Sequence, residues 1–483
     1  MNETNEKIEF RGHWTVSLLT VGFFLLFCIL FFIILQSFEM HALAMGGFVS
    51  LLLSSLFVKK GFSETYWEAV YDGVKEAVPV MMLLLIIGMF AEMIKISNLS
   101  IGFFWIAANL NVSPALFTAL TFLFVALISS ATGSSIGTMF TCFPIFYAAG
   151  VLLGSHPAAL AGAIVSGGIF GDNLAPISDT TIISSSTQEY AHRKGVADIG
   201  GSVRARFKYS IIAGICSFIL FYLLGGRSEA HVLMNDLSME GMSPNSLLML
   251  IPVFMMLFVS MKKQNMYLAI TVGLISGIVV GLLSNNLTMG NIMSVNDGVP
   301  SGFLIDGVGN MMGTAVLVMS VYGIMGVLNR AGILDRLIET IAASKLSETA
   351  RGTEIVMMIG ITLTTLLFGG VTSASLVTFG KIQNELGKRA NLHPYRRAYL
   401  LDGFANGLAV TVPFLSVFIF IGTQLTAGYD NVPQVSVTEL SSYMFQSYFL
   451  FLVLLISVLT GLGRRFEGEN GEPIKSTHPQ TVS

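Results

Sequence analysis

The segment Gly168–Thr181, with the sequence GIFGDNLAPISDTT, decides the class of this protein. It closes a run of 76 residues, Ile96–Gly171, that contains no Asp, Glu, Lys or Arg. A bilayer core about 30 Å thick takes about 20 helical residues per crossing, so this run is long enough to cross a membrane several times. Asp172 and Asp179 then appear within ten residues, together with an Asn and three hydroxyl side chains. A carboxylate at membrane depth is costly and marks an ion or proton pathway, which makes this segment the first candidate for function.

The composition of the whole chain agrees with a membrane protein. Of its 483 residues, 53% are hydrophobic and 11% are charged, whereas an ordinary soluble domain carries about 25% charged residues. Backbone in contact with lipid must satisfy its own hydrogen bonds, and the chain lacks the alternating pattern of a barrel. The sequence therefore predicts an all-α polytopic membrane protein with about 10–12 spans.

Several function classes lose support from the sequence. The net charge of −3 gives no reason to expect a nucleic-acid partner. The chain contains no HExxH, P-loop or GxSxG motif and no closely spaced set of His and Cys ligands. Neither an enzyme nor a resident cofactor is therefore expected.

Two apolar segments, 157–187 and 397–427, are too long for one crossing and contain Gly, Asn, Asp and Pro near their middles. Pro176 and Pro413 have no amide hydrogen and disfavour helix at the residue before them. Both segments are therefore predicted to be broken helices.

An internal repeat relates the two halves of the chain. The tripeptide Asp-Gly-Val at 72–74 recurs at 306–308, an offset of 234, and Leu-Ala recurs with the same offset inside the two broken segments. The halves would be 14–226 and 246–462, each with seven apolar runs. An odd number of runs makes the second half enter from the opposite face, so the repeat is inverted. Inverted repeats with paired broken helices are typical of secondary transporters.

Two short Ser/Thr-rich stretches occupy matching places in the halves, 131–135 around Thr132 and 371–375 around Thr372. The runs that flank each stretch are either complete spans or re-entrant hairpins with hydroxyl-bearing tips. Two re-entrant hairpins are the favoured interpretation.

The distribution of Lys and Arg predicts the orientation. The N-terminal segment 1–13 and the tail 463–483 are expected in the cytoplasm, and the linker 227–245 is expected outside. Lys95 is the exception, because it falls on the outer side. The loops expected in the cytoplasm contain Lys59 and Lys60, Arg193 to Lys208, Lys262 and Lys263, Arg330 to Arg351, and Arg389 to Arg397.

The predicted binding site combines both halves. Hard cations such as Na⁺ prefer oxygen ligands, and a broken helix supplies side-chain oxygens and free carbonyls. Asp172, Asn173 and Asp179 are the expected Na⁺ ligands. An alternative role for Asp179 is to cap a helix that begins near Thr180. The further oxygen-bearing residues, for which ordinary helix packing is the alternative, are Ser178, Thr180, Thr132, Ser134, Ser135, Thr372, Ser373, Ser375 and Asn406.

Glu92 and Asp402 are two further acidic residues inside apolar segments. Each is interpreted either as a member of a proton relay or as half of an ion pair. Lys95 follows Glu92 at i+3 on the same helical face. Arg397 precedes Asp402 by five residues and is its expected partner near the cytoplasmic side.

The stretch 171–181 resembles the GD-x-x-(S/A)-P-(L/I)-SDTT signature of the NhaC-type sodium/proton antiporter family, part of a wider ion-transporter superfamily. The resemblance implies inverted repeats, two re-entrant hairpins and a moving transport domain. The family also includes exchangers of organic acids such as malate and lactate. Asn173 stands where a Lys is common in the family, and Ala175 stands where Ser is frequent, so the charge of the site differs from that of many members.

The leading hypothesis is a sodium/proton antiporter in which Na⁺ and H⁺ compete for Asp172. The alternative is a Na⁺- or H⁺-coupled transporter of a small organic acid or amino acid. The expected partners are membrane lipid, Na⁺, H⁺, a small organic solute and a second copy in a homodimer. The expected location is the bacterial cytoplasmic membrane.

Overall fold

The computed structural model describes residues 7–35, 40–226, 244–263, 265–296, 298–333, 336, 348–429 and 432–475. Four parts of predicted segments lie outside the described residues. They are residues 1–6 of the N-terminal segment, 227–243 of the linker, 334–335 and 337–347 of the loop from Arg330 to Arg351, and 476–483 of the tail.

The described part of the first half is entirely helical apart from its connections. A 3₁₀ turn, Trp14–Leu18, leads into α1, and a short π-helix, Ile29–Ile34, follows it. The helices are α1 Leu19–Cys28, α2 Met40–Ser55, α3 Ser63–Ile96, α4 Leu99–Asn109, α5 Pro114–Thr132, α6 Ser135–Leu152, α7 Pro157–Leu174, α8 Asp179–Ser186 and α9 Ile199–Leu224.

The second half and the tail each add one small antiparallel sheet. Strand β1, Ser294–Asn296, pairs with β2, Val299–Ser301, and strand β3, Phe466–Glu467, pairs with β4, Pro473–Ile474. A 3₁₀ turn, Pro244–Met249, precedes α10. The helices are α10 Leu250–Lys263, α11 Met266–Leu283, α12 Met289–Ile292, α13 Phe303–Arg330, α14 Ala350–Leu367, α15 Thr372–Arg389, α16 Pro394–Ala405, α17 Val417–Leu425, α18 Val437–Ser442 and α19 Phe445–Thr460.

The apolar helices make this chain a multi-pass, all-α membrane protein. Within the described residues, 8 helices are long and apolar enough to cross a membrane, or 9 if the pair α7 and α8 is one bent span. Four shorter apolar helices lie at Thr15–Phe31, α2, α4 and α19. The predicted total of about 10–12 spans depends on how many of these shorter helices cross, and it stays a prediction.

Both predicted interruptions are present. Helix α7 ends at Leu174 and α8 begins at Asp179, with a bend of 42° between them. In the second half α16 ends at Ala405 and α17 begins at Val417. The segment between α16 and α17 contains a 3₁₀ turn, Leu408–Thr411. Each interruption contains its predicted proline, which removes an amide hydrogen that a continuous helix would use.

A sharp tip packs against each interruption. Gly133, with φ +66°, joins α5 to α6, and a Cβ there would lie 3.2 Å from the backbone nitrogen of Ser178. In the second half, Gly370 has φ +79°, and a Cβ there would lie 3.3 Å from Cα of Ser416. Glycine suits both tips because they combine a left-handed backbone with a close approach. Whether the two hairpins are re-entrant stays a prediction.

Helices α3 and α13 pack closely along their lengths through small residues. A Cβ on Gly73 would lie 2.1 Å from the backbone oxygen of Tyr322, and a Cβ on Gly88 would lie 2.4 Å from that of Gly307. These two contacts give the helices opposite directions. Gly73 and Gly307 belong to the two copies of the Asp-Gly-Val repeat. The repeat therefore marks backbone contacts between the halves, where small residues let membrane helices approach.

Candidate functional site

Asp172 lies in the last turn of α7 and is 4% exposed. Ser135, at the start of α6, donates a hydrogen bond from Oγ to Oδ2 of Asp172 at 3.2 Å. The hydroxyl of Ser178 also lies close to this carboxylate, but within the described residues no well-formed hydrogen bond reaches the buried Oδ1. The break begins after Leu174, so Asp172 occupies helical backbone, two residues before the end of α7.

Asp402, in α16, is fully buried and forms an ion pair with Arg206 of α9, which is 2% exposed. Oδ2 of Asp402 also accepts a hydrogen bond from Nδ2 of Asn173 at 3.2 Å, and Oδ1 accepts one from Nδ2 of Asn406 at 3.0 Å. The other guanidinium nitrogen of Arg206 donates to Oγ1 of Thr181. Asp402 is therefore neutralised and hydrogen-bonded on both oxygens.

Arg397 was the predicted partner of Asp402, and this prediction is wrong. Positions five apart on an α-helix point about 140° away from each other, so the two side chains leave α16 on different faces. The Arg397 guanidinium donates instead to Oδ1 of Asn384 at 2.7 Å and to the backbone oxygen of Glu189 at 2.6 Å.

Asp172, Asp402, Arg206 and the side chains that hydrogen-bond to them are called the Asp172 cluster below. The charges of this cluster do not balance. It contains two buried carboxylates, Asp172 and Asp402, and one buried guanidinium, Arg206. Arg206 contacts Asp402, so one negative charge at Asp172 has no contacting cation within the described residues. A buried charge without a partner is unfavourable, and the carboxylate must bind a proton or a cation to be stable there.

Asp179 lies beside this cluster but is exposed to solvent. Its Oδ2 accepts a hydrogen bond from Oγ of Ser373 at 2.5 Å, which connects the first broken helix to the tip of the second hairpin. The N-cap of α8 is Ser178, so Asp179 occupies the first helical turn, where its charge favours the helix N-terminus. The hydroxyls of Ser178 and Thr180 lie 3.0 Å apart.

The remaining hydroxyls of the tips make local hydrogen bonds. Oγ1 of Thr132 lies 3.0 Å from that of Thr138, and Oγ of Ser134 accepts from the backbone of α6 as its N-cap. In the second hairpin Ser375 accepts from Thr365 at 2.8 Å and donates to the backbone oxygen of Thr372. Of the predicted tip residues, Ser135 and Ser373 alone make hydrogen bonds to an acidic residue of the first broken helix.

Glu92 lies at a different site. Lys95 donates to both of its carboxylate oxygens, at 3.0 and 3.1 Å, as the i+3 spacing predicts. Nδ2 of Asn310, in α13, donates to Oε2 of Glu92 at 3.0 Å. This group lines a cavity of about 100 Å³ that shares no lining residue with the Asp172 cluster. Glu92 is thus half of an ion pair, and its part in a proton relay stays a prediction.

Arg206, Thr181 and Ser210 are residues of the cluster that sequence reasoning missed. Ser210 donates to Oδ1 of Asn173 at 2.6 Å. The sequence assigned Arg206 to a cytoplasmic loop, but α9 begins at Ile199, so Arg206 lies two turns inside a helix. A signal was available: Ser202, Arg206 and Ser210 recur at i+4 and form one polar face of that helix.

The ligand atoms available at Asp172 are oxygens. Within the described residues no group of three or more His, Cys, Asp or Glu side chains is placed to hold a metal ion. The Asp172 carboxylate and the Ser135 hydroxyl are present instead. Such oxygen ligands favour ions like Na⁺ over transition metals.

Comparison with known proteins gives the family. The profile of the Na⁺/H⁺ antiporter family matches residues 8–194 and 194–462. The Na⁺/H⁺ antiporter NhaC of Alkalihalophilus pseudofirmus is 24% identical over 437 residues, 86% of this chain and 88% of that protein. The malate-2H⁺/Na⁺-lactate antiporter of Bacillus subtilis is 25% identical over 78% of this chain and 81% of its own length.

A further relative matches a smaller part of the chain and is also named as an antiporter. The arginine/ornithine antiporter ArcD of Halobacterium salinarum is 25% identical over 56% of this chain and 57% of its own length. Because the family profile covers both halves, this chain belongs to the Na⁺/H⁺ antiporter family, and it is a secondary antiporter.

Proposed function

We propose that the protein exchanges Na⁺ for H⁺ across the bacterial cytoplasmic membrane, with Asp172 as the group that carries either ion. The observation that supports this role is the contrast in partners: Asp402 is paired with Arg206, whereas Oδ1 of Asp172 has no hydrogen-bond partner within the described residues. Na⁺ is the transported ion, and Asn173 and Asp179 belong to the same proposed site. The further oxygens proposed for it belong to Ser135, Ser178, Thr180, Thr132, Ser134, Thr372, Ser373, Ser375 and Asn406.

Charge neutrality gives the exchange its coupling. With H⁺ bound, Asp172 is neutral; with Na⁺ bound, the carboxylate and the ion cancel. Without either, one buried negative charge remains, because the charge of Arg206 is already used by Asp402. Moving that bare charge through a low-dielectric interior is unfavourable, so the empty site does not change sides. Each ion excludes the other from the same oxygen, which converts alternating access into exchange.

The inverted repeat supplies a route for alternating access. The opposite directions of α3 and α13 support a two-fold relation between 14–226 and 246–462. We propose that the broken helices and the two hairpins move together against this helix pair. In the proposed orientation residues 1–13 and 463–483 face the cytoplasm and 227–245 face outward.

Purified protein in liposomes, with a Na⁺ gradient and an internal pH dye, tests the proposal. The wild-type chain is expected to move protons in response to Na⁺ alone. Asp172→Asn keeps the size of the side chain but binds neither ion well, and we expect its flux to fall to the level of empty liposomes. Asp306→Asn, at the start of α13, is the matched control and should retain flux. A folded Asp172→Asn protein that exchanges at the wild-type rate would contradict the proposal.

A coupled exchange of a small organic acid or amino acid is the second candidate. Relatives named for malate, lactate, arginine and ornithine exchange favour it. Among the residues that the structure describes, none accepts a hydrogen bond from the buried Nε of Arg206, which offers a cationic donor. The same liposomes, assayed with a panel of organic acids and amino acids, separate the two: a requirement for solute supports the carrier, and proton flux with Na⁺ alone supports the antiporter.

A further inference from the structure

A cavity of about 550 Å³ lies where the first turns of α9 and α16 meet the residues that follow α19. It is separate from the Asp172 cluster. Arg204 and Lys208 of α9 line it, as do Tyr395 of α16 and Arg465 after α19. Gly200, in the first turn of α9, also lines it, so a helix N-terminus contributes its partial positive charge.

The cavity carries an excess of positive charge. Among the described residues, Arg204, Lys208 and Arg465 have no carboxylate within ion-pair distance, and Lys208 lies over the ring of Tyr209 with Nζ 4.7 Å from its centroid. Arg396 also lines the cavity but is paired with Glu354 at 2.7 Å.

One carboxylate, Asp198, lines the cavity as well. It accepts hydrogen bonds from the hydroxyl of Tyr395 and from the backbone nitrogen of Gly201. The bond from Tyr395 is the main reason that the pKa of Asp198 is lowered. Asp198 is therefore charged at neutral pH, and among the described residues three cations without an ion-pair partner line the cavity with this one carboxylate.

The cationic side chains on α9 continue into an apolar, exposed stripe. Arg204 and Lys208 are followed on the same helical face by Ile212, Ile215 and Ile219, which are 49%, 56% and 49% exposed. The spacing of four, four, three and four residues keeps all five side chains on one side of the helix. An exposed apolar face on a membrane helix contacts acyl chains.

A second stripe reaches the cavity from α19. Leu452, Ile456 and Leu459 are exposed at a spacing of four and three residues, and Arg465 follows shortly after them. The helices α9 and α19 are joined at the level of the cavity, where Tyr209 donates to the backbone oxygen of Leu462 at 3.0 Å. Two lipid-facing stripes thus converge on one cationic cavity.

We propose that this cavity binds the phosphate headgroup of an anionic phospholipid, whose acyl chains lie on the stripes of α9 and α19. Arg204 and Arg465 offer planar donors to phosphate oxygens, and Lys208 adds a point charge. Basic pockets between membrane helices on the cytoplasmic side suit such headgroups. A soluble phosphate would contact the same cations, but it has no acyl chains to contact the two apolar stripes.

Native mass spectrometry of the full chain in a non-ionic detergent tests this site. Dioleoyl phosphatidylglycerol is titrated against dioleoyl phosphatidylcholine, and inorganic phosphate is added at millimolar concentration in a separate arm. The variant R204Q/K208Q/R465Q removes the three cations. The variant K60Q/K262Q/K263Q removes the same charge from exposed positions outside the cavity and serves as the control.

We expect the wild-type chain and the control to retain phosphatidylglycerol in preference to phosphatidylcholine, and the cavity variant to bind it at least tenfold more weakly. K208Q alone, at an exposed position, should weaken binding about threefold, and it keeps the test available if the triple variant does not fold. Equal retention by wild type and K208Q, or by wild type and a folded triple variant, would overturn the proposal. Inorganic phosphate that occupies the site with the same residue dependence, without a lipid preference, would overturn the assignment to lipid.

Discussion

The two broken helices carry one buried acidic residue each, and the surroundings of these residues differ. In the first, Asp172 receives one hydrogen bond, from Ser135 at 3.2 Å. In the second, Asp402 receives the guanidinium of Arg206 and two amide donors. An acidic side chain buried in a membrane-spanning segment is therefore not identified as the ion carrier by its burial alone. In the proposed mechanism, the carrier is the carboxylate whose charge has no contacting cation among the described residues.

The largest effect is expected from breaking the pair at Asp402. Arg206→Met leaves a buried carboxylate without its cation, which costs about 3–5 kcal/mol of stability. The loss of stability is measured as the unfolding temperature of the Arg206→Met variant in detergent, which should fall sharply. Arg206→Met combined with Asp402→Leu removes both charges and should recover most of the loss. No recovery in the double variant would mean that the pair does not act as a unit.

Asp172→Asn should act on stability in the opposite direction. It removes a charge with no contacting cation, so at neutral pH and without Na⁺ we expect an unfolding temperature equal to or above that of the wild type. The wild type should gain stability as Na⁺ is added, because a ligand that binds the folded state stabilises it, and Asp172→Asn should not. An unfolding temperature of Asp172→Asn that still rises with Na⁺ would mean that Na⁺ binds at a site without Asp172.

Ser135→Ala removes the one well-formed hydrogen bond that the Asp172 carboxylate accepts within the described residues. Hydrogen bonds to charged groups contribute about 1.5–3 kcal/mol, so we expect the apparent Na⁺ affinity in proteoliposomes to weaken about 10- to 100-fold. Ser113→Ala is a suitable control, because the Ser113 side chain caps the opposite end of α5 and lies outside the proposed site. Similar Na⁺ affinities in the two variants would argue against a role for Ser135 in the site.

Ser373→Ala should have the smallest effect. Its bond to Asp179 at 2.5 Å joins the two halves, but Asp179 is exposed, and water can replace the hydroxyl. Loss of about 0.5 kcal/mol corresponds to a change of about twofold in transport rate. A loss of tenfold or more, measured by the same flux assay, would show that Asp179 belongs to the transport path together with Asp172.

Much of the architecture could be predicted from residue types along the chain. The uncharged run before Asp172 indicated membrane burial, and Pro176 and Pro413 indicated the two breaks. The i+3 spacing of Glu92 and Lys95 predicted their ion pair correctly. These features depend on local physics: burial of apolar side chains, the missing amide of proline, and the geometry of one helix.

The partners of the buried charges could not be predicted in the same way. Asp402 was expected to pair with the nearby Arg397, but it pairs with Arg206, 196 residues away in the chain. Arg206 itself lay in a basic cluster that the positive-inside rule assigned to a loop. Counting Lys and Arg does not separate a solvated cation from one that a helix carries into the interior. The i+4 spacing of the neighbouring serines was the signal that distinguished it.

The amino-acid order is sufficient for the membrane class, the two interruptions and the acidic signature, because each follows from which residue types occur along a single stretch of chain. Which of two buried carboxylates keeps its charge uncompensated follows only from packing α7, α9 and α16 together. Arg206 contacts Asp402 and leaves Asp172 with Ser135. Electrostatic energy in a buried site depends on distances through space, and these are set when distant helices meet.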